Sequence, residues 1–163
     1  MIENQHNIGY LAVLEDPSGT SYSQVLFIVD ENGYPIDYAY TDNLTVNETQ
    51  RILFGTTLRH YLITKVFGTQ LLEDIANEPS IIFVDSEDLL AIREKIEIPV
   101  FYLDIKTRSE NNEEGLVTNE KFSHDRVEAA YILETCEKNF DISEPFSRIT
   151  EAIMNNEATS EIK

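Results

Sequence analysis

The stretch from Thr45 to Asn77, TVNETQRILFGTTLRHYLITKVFGTQLLEDIAN, sets the strongest limit on how this chain can fold. Ile52, Leu53, Leu58, Tyr61, Leu62, Val66, Leu71, Leu72 and Ile75 recur at spacings of three, four and seven. That periodicity predicts one long amphipathic helix with a broad apolar face. A face this wide needs a sheet beneath it and a second contact at its side. Thr45 and Glu48 form a T-x-x-E capping box at its start, with Asn47 as a competing cap. Gly55 and Gly68 interrupt the pattern, and each costs about 1 kcal/mol against alanine in a helix interior. They read as sites of close packing or of a local break. Asn77, Glu78 and Pro79 stop the helix.

Strand signals lie on both sides of it. Ile8 to Glu15 is a short apolar run closed by an Asp-Pro-Ser-Gly turn. Tyr22 to Asp30 carries the unbroken run Val25 to Val29, as expected of a central strand covered on both faces. Asn32-Gly33 predicts a tight hairpin into Pro35 to Thr41, where Ile36, Tyr38 and Tyr40 share one face. After the long helix come a strand at Ser80 to Asp85, a helix capped by Ser86 or Asp88, and a strand at Pro99 to Ile105. A helix crossing between two strands makes them parallel. The expected fold class is therefore α/β: a mixed five-stranded sheet in the order β-β-β-α-β-α-β, with two C-terminal helices. The expected divisions are a core at 1–105, an acidic linker at 106–121, a helical pair at 122–155 and a disordered tail at 156–163. Val127, Ala130, Tyr131, Leu133 and Phe140 form the expected apolar face of the first C-terminal helix.

Charge narrows the function. The net charge is -18, and residues 1–50 hold eight acids and no Lys or Arg. Duplex binding needs a basic footprint that displaces counterions from phosphate, and none is visible. Acidity favours solubility and partners with basic surfaces. The single cysteine, Cys136, excludes an internal disulfide framework and points to a reducing, cytoplasmic setting. No apolar run is long enough to span a membrane. The N-terminus lacks the pattern of a signal peptide.

The element order resembles the ribonuclease-H-like fold shared by ribonucleases H, integrases and endonuclease V. The resemblance covers about residues 8–105 and is one of topology. It implies a two-magnesium site of carboxylates, beginning with an aspartate in the middle of the first strand. Here that strand is Gly9-Tyr10-Leu11-Ala12-Val13-Leu14, without a central acid, and Glu15 and Asp16 stand at its end. Glu48 matches the position of the family's helix glutamate, Asp85 that of the aspartate ending the fourth strand, and Asp125 lies on a later helix. The resemblance thus implies Glu15 or Asp16, Glu48 and Asp85 as metal-binding, catalytic residues with Mg as cofactor. From local chemistry alone, Glu48 caps its helix, Asp85 begins a turn and Asp125 occupies a first helical turn. The segments GYPIDYAYT and ETQRILFGTTL also resemble small bacterial proteins with a Gly-x-Pro turn, a strand and a Gln-x-Ile-Leu-Tyr/Phe-Gly helix; that likeness implies no activity.

Other chemistries lack their residues. His6, His60 and His124 are scattered, with no zinc-ligand spacing. There is no phosphate-cradling glycine loop and no Gly-x-Ser-x-Gly elbow. Cys136 falls on an apolar helix face and reads as a small core residue. Arg51, Arg59 and Lys65 form a loose cationic arc on the long helix, a candidate interaction surface. The expected function is a non-catalytic, acidic interaction protein, an accessory subunit of a larger bacterial assembly in nucleic-acid processing or defence. A divergent ribonuclease-H-like nuclease and an acidic nucleic-acid mimic are the alternatives.

Overall fold

The computed structural model describes residues 6–104 and 116–160, with side chains through residue 153. Among the described residues, seven strands form one mixed sheet: β1 (Ile8–Glu15), β2 (Ser21–Val29), β3 (Pro35–Tyr40), β4 (Leu44–Thr45), β5 (Ile81–Val84), β6 (Val100–Leu103) and β7 (Leu116–Thr118). The spatial order is β3-β2-β1-β5-β6-β7, with β4 also paired to β2. β1, β2 and β3 are antiparallel neighbours, β5 and β6 run parallel to β1, and β7 closes antiparallel on β6. The five expected strands are all present in the ribonuclease-H-like arrangement. β4 and β7 are additions, too short to show a period in sequence. β7 and a 3-10 turn at Glu120–Phe122 fall inside the segment read as a linker, of which 106–115 lie outside the described residues.

The long helix is not continuous. It divides into α1 (Glu48–Phe54), a 3-10 turn (Gly55–Thr57), α2 (Leu58–Tyr61), a π-helical segment (Leu62–Phe67) and α3 (Gln70–Asp74). The breaks fall at the two glycines, Gly55 with φ +56° and Gly68 with φ +50°. Only glycine adopts those conformations without strain, so each ends a helical run and re-aims the next. The cap also differs from expectation. Asn47, not Thr45, caps α1: its side chain accepts from the Gln50 N–H (2.8 Å) while the Gln50 side chain accepts from the Asn47 N–H (3.0 Å). Thr45 belongs to β4 and is unavailable.

Two apolar clusters lie on the two faces of the sheet. On one, Leu11, Val13, Leu26, Ile28, Ile82 and Val84 meet Leu58, Leu62, Ile63, Phe67 and Leu71 of the broken helix and Leu89, Leu90 and Ile92 of the 3-10 segment Glu87–Lys95. On the other, Ile8, Tyr10, Val25, Phe27, Phe83 and Phe101 meet α4 (Asp125–Asn139), α5 (Glu144–Ser160) and the turn between them through Ala129, Cys136, Ile149 and Ile142. The C-terminal helices are thus a layer of the core, and α5 continues to Ser160, past the expected boundary at 155. Each large apolar side chain buried here contributes roughly 1.5–3 kcal/mol. Tyr10 ties the layers together, its buried hydroxyl donating to the Ile142 carbonyl (2.6 Å).

α4 buries only part of the expected face: Leu133 and Phe140 pack against the core and Cys136 is buried as expected, but the rest of the stripe is rotated. Asp125, Ala129 and Cys136 are buried, whereas Val127 and Tyr131 are 81% and 69% exposed. The cause is an ion pair. Asp125, fully buried, accepts from Arg93 Nε (2.8 Å) and Nη2 (3.2 Å), which turns that side of the helix inward.

Candidate functional site at the carboxyl edge of the sheet

Open α/β sheets bind ligands outside the carboxyl ends of their parallel strands. Here β1, β5 and β6 end at Glu15, Val84 and Leu103, with Asp16, Asp85 and Asp104 just beyond.

Register decides the relation of Glu15 to Asp85. Leu11 pairs with Val84, so the strand position alongside Asp85 is Ala12. Ala12 is 2% exposed and has no ligand atom. Glu15 lies three residues further on, roughly 10 Å along the strand at about 3.3 Å per residue. It stands beside Tyr22, its partner on β2. Tyr22 donates its hydroxyl to the Gly19 carbonyl (3.2 Å), and burial followed by the Glu15 carboxylate pushes its pKa up to about 12.

Asp16 is occupied by its own turn. Its carboxylate accepts from the Ser18 hydroxyl (2.7 Å), the Thr20 and Ser21 N–H groups (2.8 and 2.9 Å) and the Thr20 hydroxyl (3.1 Å). Those bonds, the Ser18 hydroxyl foremost, hold its pKa down to about 2. Glu48 is exposed in the first turn of α1, where a carboxylate complements the helix dipole.

Asp85 differs from these. Asp85 is open to solvent at the rim, yet crowding by neighbouring protein atoms raises its carboxyl to about 6, against the pull of the nearby Arg59 guanidinium. Arg59 is held elsewhere: Nε donates to Asp88 Oδ2 and Nη2 to the Ser86 hydroxyl (2.9 Å). The Tyr102 hydroxyl is pushed up by burial, then by Asp104, Glu87 and Asp85. The edge is thus an acidic rim over a tyrosine, with Arg59 clamped beside it.

Among the described residues, Glu15, Asp16, Glu48 and Asp85 do not fall into one compact group of three possible ligands. Among the described residues, the one group of three possible ligands whose atoms lie within 4.8 Å of each other is His124, Asp125 and Glu128. Asp125 there already receives the bidentate Arg93 guanidinium, which also stacks over Phe122 (4.0 Å from its Cζ to the ring centre). A cation would have to displace it. This compact group is thus already neutralised by Arg93, and it contains none of Glu15, Asp16, Glu48 and Asp85. Of the cationic arc, Arg51 donates to the Ser18 carbonyl (3.0 Å) and Arg59 to Asp88, while Lys65 is exposed on the π-helical segment. Asp125 as half of a buried clamp could not be read from sequence, because its partner Arg93 is 32 residues away.

No protein-family model matches the chain, and no curated protein matches it in sequence. Among solved structures, endonuclease V of Ciona intestinalis, in complex with a DNA containing inosine and ribo-adenosine, is similar at a TM-score of 0.37 and 8% identity. Human endonuclease V is similar at 0.37 and 11% identity. Argonaute of Marinitoga piezophila, in complex with a guide RNA, is similar at 0.32 and 15% identity. The matches cover 61%, 60% and 61% of this chain, and the chain spans 45%, 45% and 16% of those proteins. The strand order, and not these scores, places the architecture. Among the described residues, no helix is long and apolar enough to cross a membrane.

Proposed function

We propose that this chain is a non-catalytic protein-binding subunit built on a ribonuclease-H-like scaffold. The observation that carries the reading is Ala12 beside Asp85. The strand position where two-metal chemistry requires a carboxylate is a buried methyl group. Asp16 and Asp125 are each committed to internal bonds, and Glu48 lies in the first turn of α1. Support for binding comes from the surface. A chain with net charge -18 still exposes Ile52 and Leu53 on α1, Tyr34 just before β3 and Tyr40 at its end. These exposed side chains offer apolar contact that a partner surface could cover. The larger bacterial assembly, in nucleic-acid processing or defence, belongs to this proposal.

The test has two arms. The full chain is incubated with Mg or Mn and with single- and double-stranded DNA and RNA, including inosine-containing duplexes, and no cleavage is expected. The tagged chain expressed in bacterial cells is expected to recover a larger protein reproducibly. Metal-dependent cleavage that Asp85→Asn abolishes would overturn the first statement, and a chain recovered alone the second. A divergent nuclease remains the competing reading on one observation: Asp85, with its raised pKa, stands where the family's strand-ending aspartate stands.

A further inference from the structure

β3 is an outer strand, paired on one side with β2 and, among the described residues, with nothing on the other. Its backbone directions follow from its neighbours. The Thr41 N–H donates to the Gln24 carbonyl (2.9 Å) and Ala39 pairs with Leu26, so alternate residues turn toward β2. Tyr38 and Tyr40 therefore turn their N–H and C=O groups outward. The outward direction is visible at Tyr38, whose N–H is taken by the carboxylate of Asp37 (2.9 Å).

Natural edges are guarded by lysines, prolines, bulges or very short strands. This edge has Pro35 and an irregularity near Ile36 at its start, and no basic residue along it. Its side chains are apolar and open: Tyr34 is 67% exposed, Tyr40 60%, and Ile36 and Tyr38 38% each. The Tyr38 and Tyr40 rings stand 5.4 Å apart, and Tyr38 leans edge-on to Phe27 of the core at 6.3 Å. The result is a small aromatic shelf beside an edge that, among the described residues, pairs with no further strand and whose outward Tyr38 N–H is held only by the adjacent Asp37 carboxylate.

Charge says what can occupy it. The acids flanking the shelf are Asp30, Glu31, Asp37 and Asp42, and no Lys or Arg occurs in the first fifty residues. The cation that reaches this region, Arg148, is held by Glu144 and by the Gly33 carbonyl. A second copy would bring the same acids against themselves, and a nucleic acid would bring phosphates. An extended segment carrying Lys or Arg meets both demands, since its backbone completes the ladder and its cations meet the carboxylates and ring faces.

We propose that β3 is a strand-addition site for a cationic, extended segment of a partner protein, which pairs with the outward backbone of Tyr38 and Tyr40. The incoming strand takes over the Tyr38 N–H, and the Asp37 carboxylate, still held at Oδ2 by the Asn77 side-chain amide (3.2 Å), offers its freed Oδ1 to one of the cations. This inference rests on the protein-binding reading above and names the surface and the chemistry of the partner.

The experiment uses the full chain and short labelled synthetic peptides, followed by fluorescence anisotropy. The probes are an alternating Arg-Val peptide, its Glu-Val counterpart, and the Arg-Val peptide with alternate backbone nitrogens methylated. The Arg-Val peptide is expected to bind and the Glu-Val peptide to fail. Methylation is expected to weaken binding at least about tenfold, because it removes the ladder donors and keeps the charge. Tyr40→Lys, at an open position, is expected to weaken it similarly with an unchanged thermal midpoint, and Tyr38→Ala provides a second variant. Equal binding of the methylated peptide, or wild-type binding by Tyr40→Lys, would overturn the inference, since the acids alone would then account for the attraction. So would tighter binding of single-stranded RNA, or a dimer that Tyr40→Lys dissolves. If Tyr40→Lys recovers the same cellular partner as the native chain, β3 is not the site and the protein-binding reading stands. If the native chain recovers none, that reading fails independently of the peptide assay.

Discussion

Arg93 belongs to the helical layer on one face of the sheet and Asp125 to the layer on the other, so their contact can be tested as a clamp between layers. Arg93 is 8% exposed and Asp125 fully buried. Replacing Asp125 with alanine removes two charge-assisted bonds of 2.8 and 3.2 Å. The guanidinium keeps the Ile96 carbonyl (2.6 Å) and the Phe122 ring but has no countercharge in a site closed to water. Leaving one charge of a buried pair alone costs about 3–5 kcal/mol. For a chain of this size that lowers the thermal midpoint by about 6–20 °C. The assay is urea and thermal unfolding followed by far-UV circular dichroism. Where Asp125→Ala yields too little folded protein, Asp125→Asn is measured instead, with a loss of about 1.5–3 kcal/mol from the missing charge-assisted bonds. The double variant Arg93→Met with Asp125→Leu is expected to return to within about 1–2 kcal/mol of wild type, because an apolar pair of similar volume needs no desolvation. A loss below about 1 kcal/mol for Asp125→Ala, or a double variant no better than the single one, would refute the clamp. The result bears on function, since an aspartate kept for metal binding usually costs stability, and its removal would leave the fold intact or firmer.

Three further outcomes follow from particular side chains. Gln24 is 1% exposed and its Nε2 has no hydrogen-bond partner, so Gln24→Met is expected to be neutral or to stabilise by about 1 kcal/mol in urea unfolding; a clear loss would reveal an unseen partner. Gly55→Ala meets open space, yet the φ of +56° predicts a loss of about 1–3 kcal/mol from backbone strain alone, and unchanged stability would refute the break as a conformational requirement. Asp85, raised to about 6 in the fold, binds its proton more tightly folded than unfolded, so its contribution is present at low pH and is lost as pH rises through about 6. Asp85→Asn, neutral throughout, should therefore lose less stability than wild type between about pH 4 and 7, and parallel urea-midpoint profiles would disprove the shift.

The apolar patterning of the chain carried most of the architecture. Five strands and their order followed from local runs such as Val25 to Val29, because a strand between neighbours must be apolar on both faces. The candidate site was legible only as residue types. Glu15, Asp16, Glu48 and Asp85 were all found near strand ends or helix starts, where local chemistry puts acids anyway. Whether they converge depends on register, and register is set by pairing between distant segments. Only the Leu11–Val84 pairing showed that Ala12 lies beside Asp85.

By itself the sequence determined the periodicities and the uneven charge, because each depends on residues a few positions apart; the choice of Asn47 over Thr45 as the cap needed the pairing of β4 with β2. The sequence marked Gly55 and Gly68 as interruptions, though the tertiary structure decided that they divide the helix. Tertiary contacts alone decided the rotation of α4. A stripe headed by Asp125 looks unburiable until Arg93, far away in the chain, supplies the countercharge. They alone also left β3 as an edge, so the alternating Ile36, Tyr38 and Tyr40, which in sequence look like half a core, remain open to a partner.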